Sequence, residues 1–270
     1  MTKYERMTAR SAAWIVALLS LLVAPMAAAQ DDHKFSLSLG VFLTDRNSDT
    51  QIGIEGQSVG TPVDLEVDLG MDTSDSVFRI DGYFKFNERH RIDFSAFDLS
   101  RFATKDIDKE IDWNGTIYPI DTTVTGDFDL NIYKLAYTWS FMRRERGYLG
   151  VTGGLYIADV SARLSAQGIA ERDGGSATAP LPVLGLRGQY RLSDKWTFRA
   201  SGEFFGMKYD EFDGSMIDLY AGIEYQVSDR TSLGFGMNSV TIDLGIEASD
   251  LNGEVDWHYD GGLIFLKFDF

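Results

Sequence analysis

The residues that could do chemistry in this chain are few in kind. It has three histidines, no cysteine and 41 carboxylates against 25 lysines and arginines, with a formal charge of −16 at pH 7. Without cysteine there is no thiol nucleophile, no disulfide framework and no thiolate metal site. No G-x-S-x-G, H-E-x-x-H, P-loop or EF-hand spacing occurs. Of the histidines, His33 and His90 fall toward the short-turn side, and only His258 falls near the opposite rim, with Asp256 and Asp260 close in sequence. An imidazole beside a carboxylate can serve as a general base, which makes a hydrolase using His258 one reading of the chain. An acidic chain repels phosphate backbones, so nucleic acid is not expected as a partner.

The other charges fall into a pattern. Arg79, Asp81, Lys85, Asp93, Lys134, Arg187, Arg191, Arg199, Glu203, Glu224 and Lys267 each stand opposite an apolar neighbour in a two-residue repeat. In Ile132–Phe141, Tyr133, Leu135, Tyr137, Trp139 and Phe141 share one parity, and Lys134, Ala136, Thr138 and Ser140 share the other. Successive side chains of a strand point to opposite faces, so this is a strand with one apolar and one polar face. The same alternation recurs in Phe35–Leu43, Phe78–Phe86, Leu184–Leu192, Trp196–Phe204, Ile217–Val227 and Ile264–Phe270. Plentiful glycine and aromatics with only 5 prolines suit twisted strands.

The alternation predicts about ten strands, with eight to twelve allowed: 34–44, 76–87, 90–102, 127–142, 147–165, 180–192, 195–209, 215–227, 230–247 and 258–270. Two further alternating stretches, Gln51–Gly56 and Val63–Gly70, could extend the first hairpin or add a pair. Breaks at Phe97–Leu99 and Asp159–Val160 read as bulges. The connections alternate between short turns (at Asn87–His90, Arg143–Gly147, Ser193–Lys195 and Ser228–Arg230) and longer, acid-rich segments at Thr44–Ser76, Ala103–Gly126, Ala166–Ala179, Asp210–Ser215 and Ala248–His258. Aromatics such as Phe84, Phe86, Trp139, Phe141, Trp196 and Tyr225 cluster beside the short turns. Short turns on one side, long loops on the other and an aromatic girdle predict an all-β, antiparallel up-and-down transmembrane β-barrel.

Residues 1–29 read as a cleaved signal peptide. Lys3, Arg6 and Arg10 precede an apolar run to Val23, and Ala27-Ala28-Ala29 supplies small residues for cleavage. The run is too short for a spanning helix. Residues 30–270 are then the barrel.

The last strand carries Leu266, Phe268 and Phe270 on one face and ends on an aromatic. In this it resembles bacterial outer-membrane barrels, whose closing strand is recognised by the assembly machinery. The whole pattern is similar to the small barrels of the OmpA-transmembrane-domain, OmpX and OmpW kind. That resemblance implies a monomer in the cell outer membrane whose partners are outer-membrane lipid, lipopolysaccharide and the barrel-assembly machinery. In a barrel this narrow the inward charges should pair and fill the lumen, giving a structural or surface-interaction protein; the alternatives are a narrow channel for small solutes or ions and the His258 hydrolase. No cofactor is expected, although the acidic outer loops could hold Ca²⁺ or Mg²⁺ through hard oxygen ligands.

Overall fold

The structure is a computed structural model, described for residues 33–53, 61–113, 115–166, 168, 173–209, 212–248 and 251–270. The segment read as a signal peptide lies outside the described residues. In chain order the strands are β1 (Phe35–Gly53), β2 (Val63–Asp64), β3 (Ser74–Lys85), β4 (His90–Asp106), β5 (Ile111–Trp113), β6 (Thr116–Tyr118), β7 (Thr123–Arg144), β8 (Gly147–Ala166), β9 (Asp173–Arg191), β10 (Trp196–Tyr209), β11 (Phe212–Ser228), β12 (Thr231–Ala248) and β13 (Leu251–Asp269). Ten of them, all but β2, β5 and β6, form one antiparallel sheet in the order β13-β12-β11-β10-β9-β8-β7-β4-β3-β1. Pairing of β13 with β1, from Ser36–Asp269 to Gly53–Asn252, closes it into a barrel. Closure gives every barrel strand a paired neighbour on each side, with the β9–β10 ladder ending at Leu184–Phe204 and the β3–β4 ladder at Arg79–Phe97.

The strands run further than the sequence pattern indicates. Most of the predicted loops Ala166–Ala179, Asp210–Ser215 and Ala248–His258 is strand, in β9, β11, β12 and β13. Of the two extra alternating stretches, Gln51–Gly53 continues β1, and Val63–Asp64 forms β2, paired with Asp49 and Thr50; Ile54–Gly56 lies outside the described residues. No bulge occurs at Asp159–Val160, where both ladders keep register, or at Phe97–Leu99, where the ladder with β7 keeps register and the ladder with β3 ends at Phe97. The register shifts are at Trp139/Met142 and Gln226/Ser228, beside short turns.

The apparent breaks have a different cause: the two faces of the sheet exchange polarity partway along each strand. In β7, Tyr133, Leu135, Tyr137 and Trp139 point outward and are exposed, while Lys134, Ala136, Thr138 and Ser140 are buried inward. Toward the other end of the same strand Val124, Phe128, Leu130 and Ile132 are buried, and Thr125, Asp127, Asp129 and Asn131 face out. The register carries the exchange to the neighbours. Asn131 lies beside Asp98 of β4 and Asp159 of β8, both exposed. On β12 and β13 it falls at Ser239 and Asp260, which are paired. Below this level the outside is apolar on every barrel strand, with Leu135 and Leu184 each 59% exposed and Met237 74%. Above it the barrel is built mostly like a water-soluble one, apolar within and polar without, with Phe102 (68% exposed) and the buried Arg101 as departures.

Two connections close over the apolar end. Residues 61–72, between β1 and β3, bury Val63, Leu65, Leu69 and Met71; residues 107–122, between β4 and β7, bury Ile107, Ile111, Trp113 and Tyr118. The sequence pattern marks these segments as acid-rich loops. Apolar side chains interleaved with the acids reach the core, while Val67, Ile117 and Ile120 stay exposed. Asp64 shapes the first segment by accepting the backbone N–H groups of Glu66 (2.9 Å) and Val67 (2.6 Å), as a helix N-cap does. Gly70 turns the chain at φ +72°, a conformation that favours glycine. The segment is then clamped by cations: Arg101 pairs with Glu66, and Lys109 with Asp68 at 2.6 Å. Tyr118 Oη donates to the Leu164 carbonyl at 3.2 Å, tying the second segment to β8.

Trp113 is 1% exposed at the centre of this cap. Trp113→Ala removes buried surface worth about 3–5 kcal/mol. We expect faster cleavage of 61–72 and 107–122 by limited proteolysis, while the barrel keeps its heat-modifiable migration on unboiled gels. Wild-type protease resistance in the variant would show that the cap is not held by this core.

Candidate functional site: the charged interior layer

Beneath the apolar interior, toward the short turns, the inward face becomes charged. The alternation that makes the outside apolar dictates this, since residues i and i+2 share a face. Arg79 and Asp81 come from β3, Arg91 and Asp93 from β4, Lys134 from β7 and Arg187 from β9. Arg199 and Glu203 come from β10, Asp218 and Glu224 from β11, and Lys267 and Asp269 from β13.

One network runs across the barrel. The Arg79 guanidinium meets Asp81 at 2.9 Å and donates to Asn238 Oδ1 at 2.7 Å. Asn238 donates in turn to Asp218 (2.7 Å) and to the Leu219 carbonyl (2.8 Å). The Tyr156 hydroxyl lies between two carboxylates, at 2.6 Å from Asp218 and 3.0 Å from Glu203. Having one proton, it donates to one of them at a time. Glu203, 2% exposed, also holds Lys134 and, at 2.8 Å, Arg187. Arg187 reaches on to Asp93 at 3.6 Å, which binds Arg91 at 3.1 Å and accepts from Thr138 at 2.6 Å.

A second network lies beside it. Glu224 stands between Arg199 (3.0 Å) and Lys267 (3.2 Å), and Lys267 also meets Asp269 at 3.0 Å. The Arg199–Glu224 contact is at ion-pair distance without hydrogen-bond alignment. Tyr83 joins the two networks, with the guanidinium carbons of Arg91 and Arg199 at 4.8 and 5.8 Å from its ring centre. Between the networks lies a cavity of about 100 Å³, lined by Arg79, Asp93, Tyr148, Arg187, Arg199 and Glu224 among others. Of these lining residues, Arg187 Nε, Arg199 Nε and Glu224 Oε1 are buried with no hydrogen-bond partner. A polar space of that size accommodates a few waters, which would satisfy such atoms.

Of the eleven interior charges expected from sequence, nine lie in these networks. Lys85 lies near the short-turn end, 5.4 Å from the Tyr83 ring centre and only partly buried. Arg191 is outside the cluster: it is exposed at the rim, with Nη2 donating to the Glu145 carbonyl at 3.4 Å. Its parity is inward, but it sits at the last position of β9, beyond the layer. Arg91, at the edge of the short turn, Asp218, Asn238, Tyr83 and Tyr156 join the networks without having been expected there. Arg91 shares parity with Asp93, and that signal would have found it. Asn238 and the tyrosines escape notice when only formal charges are followed.

The remaining candidates lie elsewhere. Leu266, Phe268 and Phe270 are on the outer side of the closing seam, where Phe270 N–H donates to the Phe35 carbonyl at 2.8 Å. His258 is on the outer, exposed face of β13, hydrogen-bonded through Nδ1 to Thr241 (2.9 Å) and through Nε2 to Asp260 (3.0 Å). Among the described residues no three His, Asp or Glu side chains converge as a metal-binding group.

A closed ten-stranded antiparallel barrel with an apolar outer band and a charged interior layer has the architecture of the outer-membrane β-barrels. Among solved structures, the outer-membrane protease OmpT from Escherichia coli is similar at a TM-score of 0.55, with 12% identity over 90% of this chain and 99% of that one. The transport unit of the autotransporter AIDA-I from Escherichia coli (TM-score 0.41, 10% identity, 94% and 97% covered) and Ail of Yersinia pestis bound to sucrose octasulfate (0.36, 12%, 85% and 99%) are more distant. At these identities the likeness is one of fold. By sequence, the chain matches no family model and no curated protein.

Glu203 is the hub of the larger network. Glu203→Ala strips Lys134 and Arg187 of their shared carboxylate, and an orphaned buried charge costs about 3–5 kcal/mol. The unfolding temperature in detergent should fall clearly. Arg191→Ala, at the exposed rim, should change stability by no more than about 0.5 kcal/mol. Equal unfolding temperatures for the two variants would remove the structural role assigned to the layer.

Proposed function

We propose that this chain is an outer-membrane protein with a shut lumen, serving a structural and surface-presenting role. The observation that carries the reading is the stacking of two interior layers. Above the charged networks, Leu99, Phe128, Leu130, Ile132, Val240 and Tyr259 are all buried, and the two cap segments pack over that apolar layer. An ion leaving the polar cavity would meet hydrocarbon with no replacement for its hydration shell. Porin-like channels of 16 or more strands keep a polar lumen throughout. The outward apolar band, on every barrel strand, is what hydrocarbon requires and water disfavours. Aromatic pairs at its short-turn end, such as Trp196–Tyr225 (5.0 Å) and Phe84–Phe86 (5.4 Å), suit a headgroup boundary.

On this reading the short turns face the periplasm, and the acidic, tall end of the barrel faces outward among lipopolysaccharide. Divalent cations there would be shared with lipid phosphates. The hydrolase alternative has the Thr241–His258–Asp260 array behind it, which orients the imidazole, but that array lies on an exposed strand face. The closing seam with Phe268 and Phe270 supports recognition by the assembly machinery.

Purified protein in planar bilayers should give no steady conductance. A stable ion current from the wild type would sink the shut-lumen reading in favour of the channel. A tag inserted between Arg143 and Gly147 should be hidden on intact cells, and one at Asp108–Glu110 should be labelled; the reverse would invert the topology. Deleting Phe268–Phe270 should lower the heat-modifiable form recovered from outer membranes, and undiminished recovery would remove the assembly role.

A further inference from the structure

The outer wall carries a hollow that barrel closure does not need. On β9 and β10, Gly188 and Ala200 stand side by side on the outward face, with Gly202 one step along. These small residues leave a groove between Leu186 and Phe198 of about 480 Å³, almost wholly apolar. Its apolar lining side chains Leu149, Leu186, Tyr190 and Phe198 are all on the exposed outer face.

The short-turn end of the groove is lined by Arg144. Its presence there is a consequence of the register shift between Trp139 and Met142. Upstream of the shift the odd residues of β7 point outward. Downstream, Met142 pairs with Leu149 and Arg144 with Gly147, so the even residues take over the outer face. Without the extra residue Arg144 would point into the barrel; bulges commonly re-aim a side chain in this way. Arg144 makes no ion pair among the described residues, whereas Arg143 beside it is held by Glu88 at 3.2 Å.

We propose that this groove binds one anionic glycerophospholipid from the leaflet at the short-turn end. An acyl chain lies over Gly188, Ala200 and Gly202, and the phosphate sits on the Arg144 guanidinium. The proposal rests on the membrane reading above. The chemistry matches at both ends. A hollow in a lipid-facing wall is occupied by hydrocarbon, since a void forfeits dispersion contacts. An arginine at headgroup depth meets phosphate oxygens in a charge-assisted, bidentate geometry. The site is at the wrong end of the barrel for lipopolysaccharide, which belongs to the capped side.

The test is native mass spectrometry of the folded protein released from detergent micelles supplemented with palmitoyl-oleoyl phosphatidylglycerol. Wild type should retain one lipid per barrel. Arg144→Ala should weaken retention about tenfold, the loss of one charge-assisted contact. Ala200→Leu fills the hollow and should abolish retention, while Arg143→Ala, whose arginine is already engaged, should behave as wild type. Equal retention in all four proteins would overturn the proposal, as would a dimer that Ala200→Leu dissociates, because the groove would then hold a second copy. Heat-modifiable migration and liposome insertion of each protein are measured alongside. If wild type fails to insert, the membrane reading falls and this proposal with it; if it inserts but retains no lipid, only the groove assignment is lost.

Discussion

Backbone hydrogen bonding between β1 and β13 is the constraint on which the rest of the structure depends. An open sheet of this size would present two rows of unpaired N–H and C=O groups, and in an apolar medium each unpaired group costs several kcal/mol. The ladder from Ser36–Asp269 to Gly53–Asn252 removes both edges at once. Closure also fixes which side chains face each other across the interior. Asp93 of β4 can meet Arg187 of β9, and Tyr156 of β8 can meet Asp218 of β11, only because the sheet curls back on itself.

Closure makes an inside, and the inside must be packed. Small residues set its bore where large ones cross it. Phe265 covers Gly234, and Tyr220 lies over Gly222 and Gly236, at distances where an added Cβ would meet the ring within 3 Å. The charged layer solves the remaining space with paired ions and neutral connectors. Such pairing contributes little net stability compared with hydrocarbon, yet it makes each partner costly to remove. The apolar layer above it solves the same problem as an ordinary protein core does, and the cap segments complete that core as lids of hydrophobic side chains held by Arg101 and Lys109.

The exchange of polarity along the strands links this packing to the proposed setting. A barrel standing wholly in water would have no use for an apolar lower wall, and one wholly within hydrocarbon would have none for the polar upper wall with Asp98, Asp127, Asp129 and Asp159. Having both on the same strands places a boundary at the level of Asn131 and Ser239. It also accounts for the length of β7, 22 residues, against the 9–11 or so that cross a bilayer.

The sequence by itself determined the strand faces. Alternation assigns Tyr133, Leu135 and Trp139 outward and Lys134 inward without any knowledge of neighbours, because side-chain period is a property of the single strand. The ten barrel strands and most of the interior charges follow from it. Tertiary structure decided what periodicity leaves open. Opposite senses of alternation in one strand look like a bulge or a loop until the neighbours show unbroken register, as on both sides of Asp159 and between Asp98 and β7. Which inward charge meets which depends on closure and strand stagger, so Glu203 as a hub for Lys134 and Arg187 could not be read from three distant segments. The cap was hidden because Val63, Leu65 and Leu69 alternate with acids as a further strand would, and Ile111 and Trp113 stand among acids in a segment with no sustained period. They become a core only where the barrel mouth offers an apolar surface to bury them.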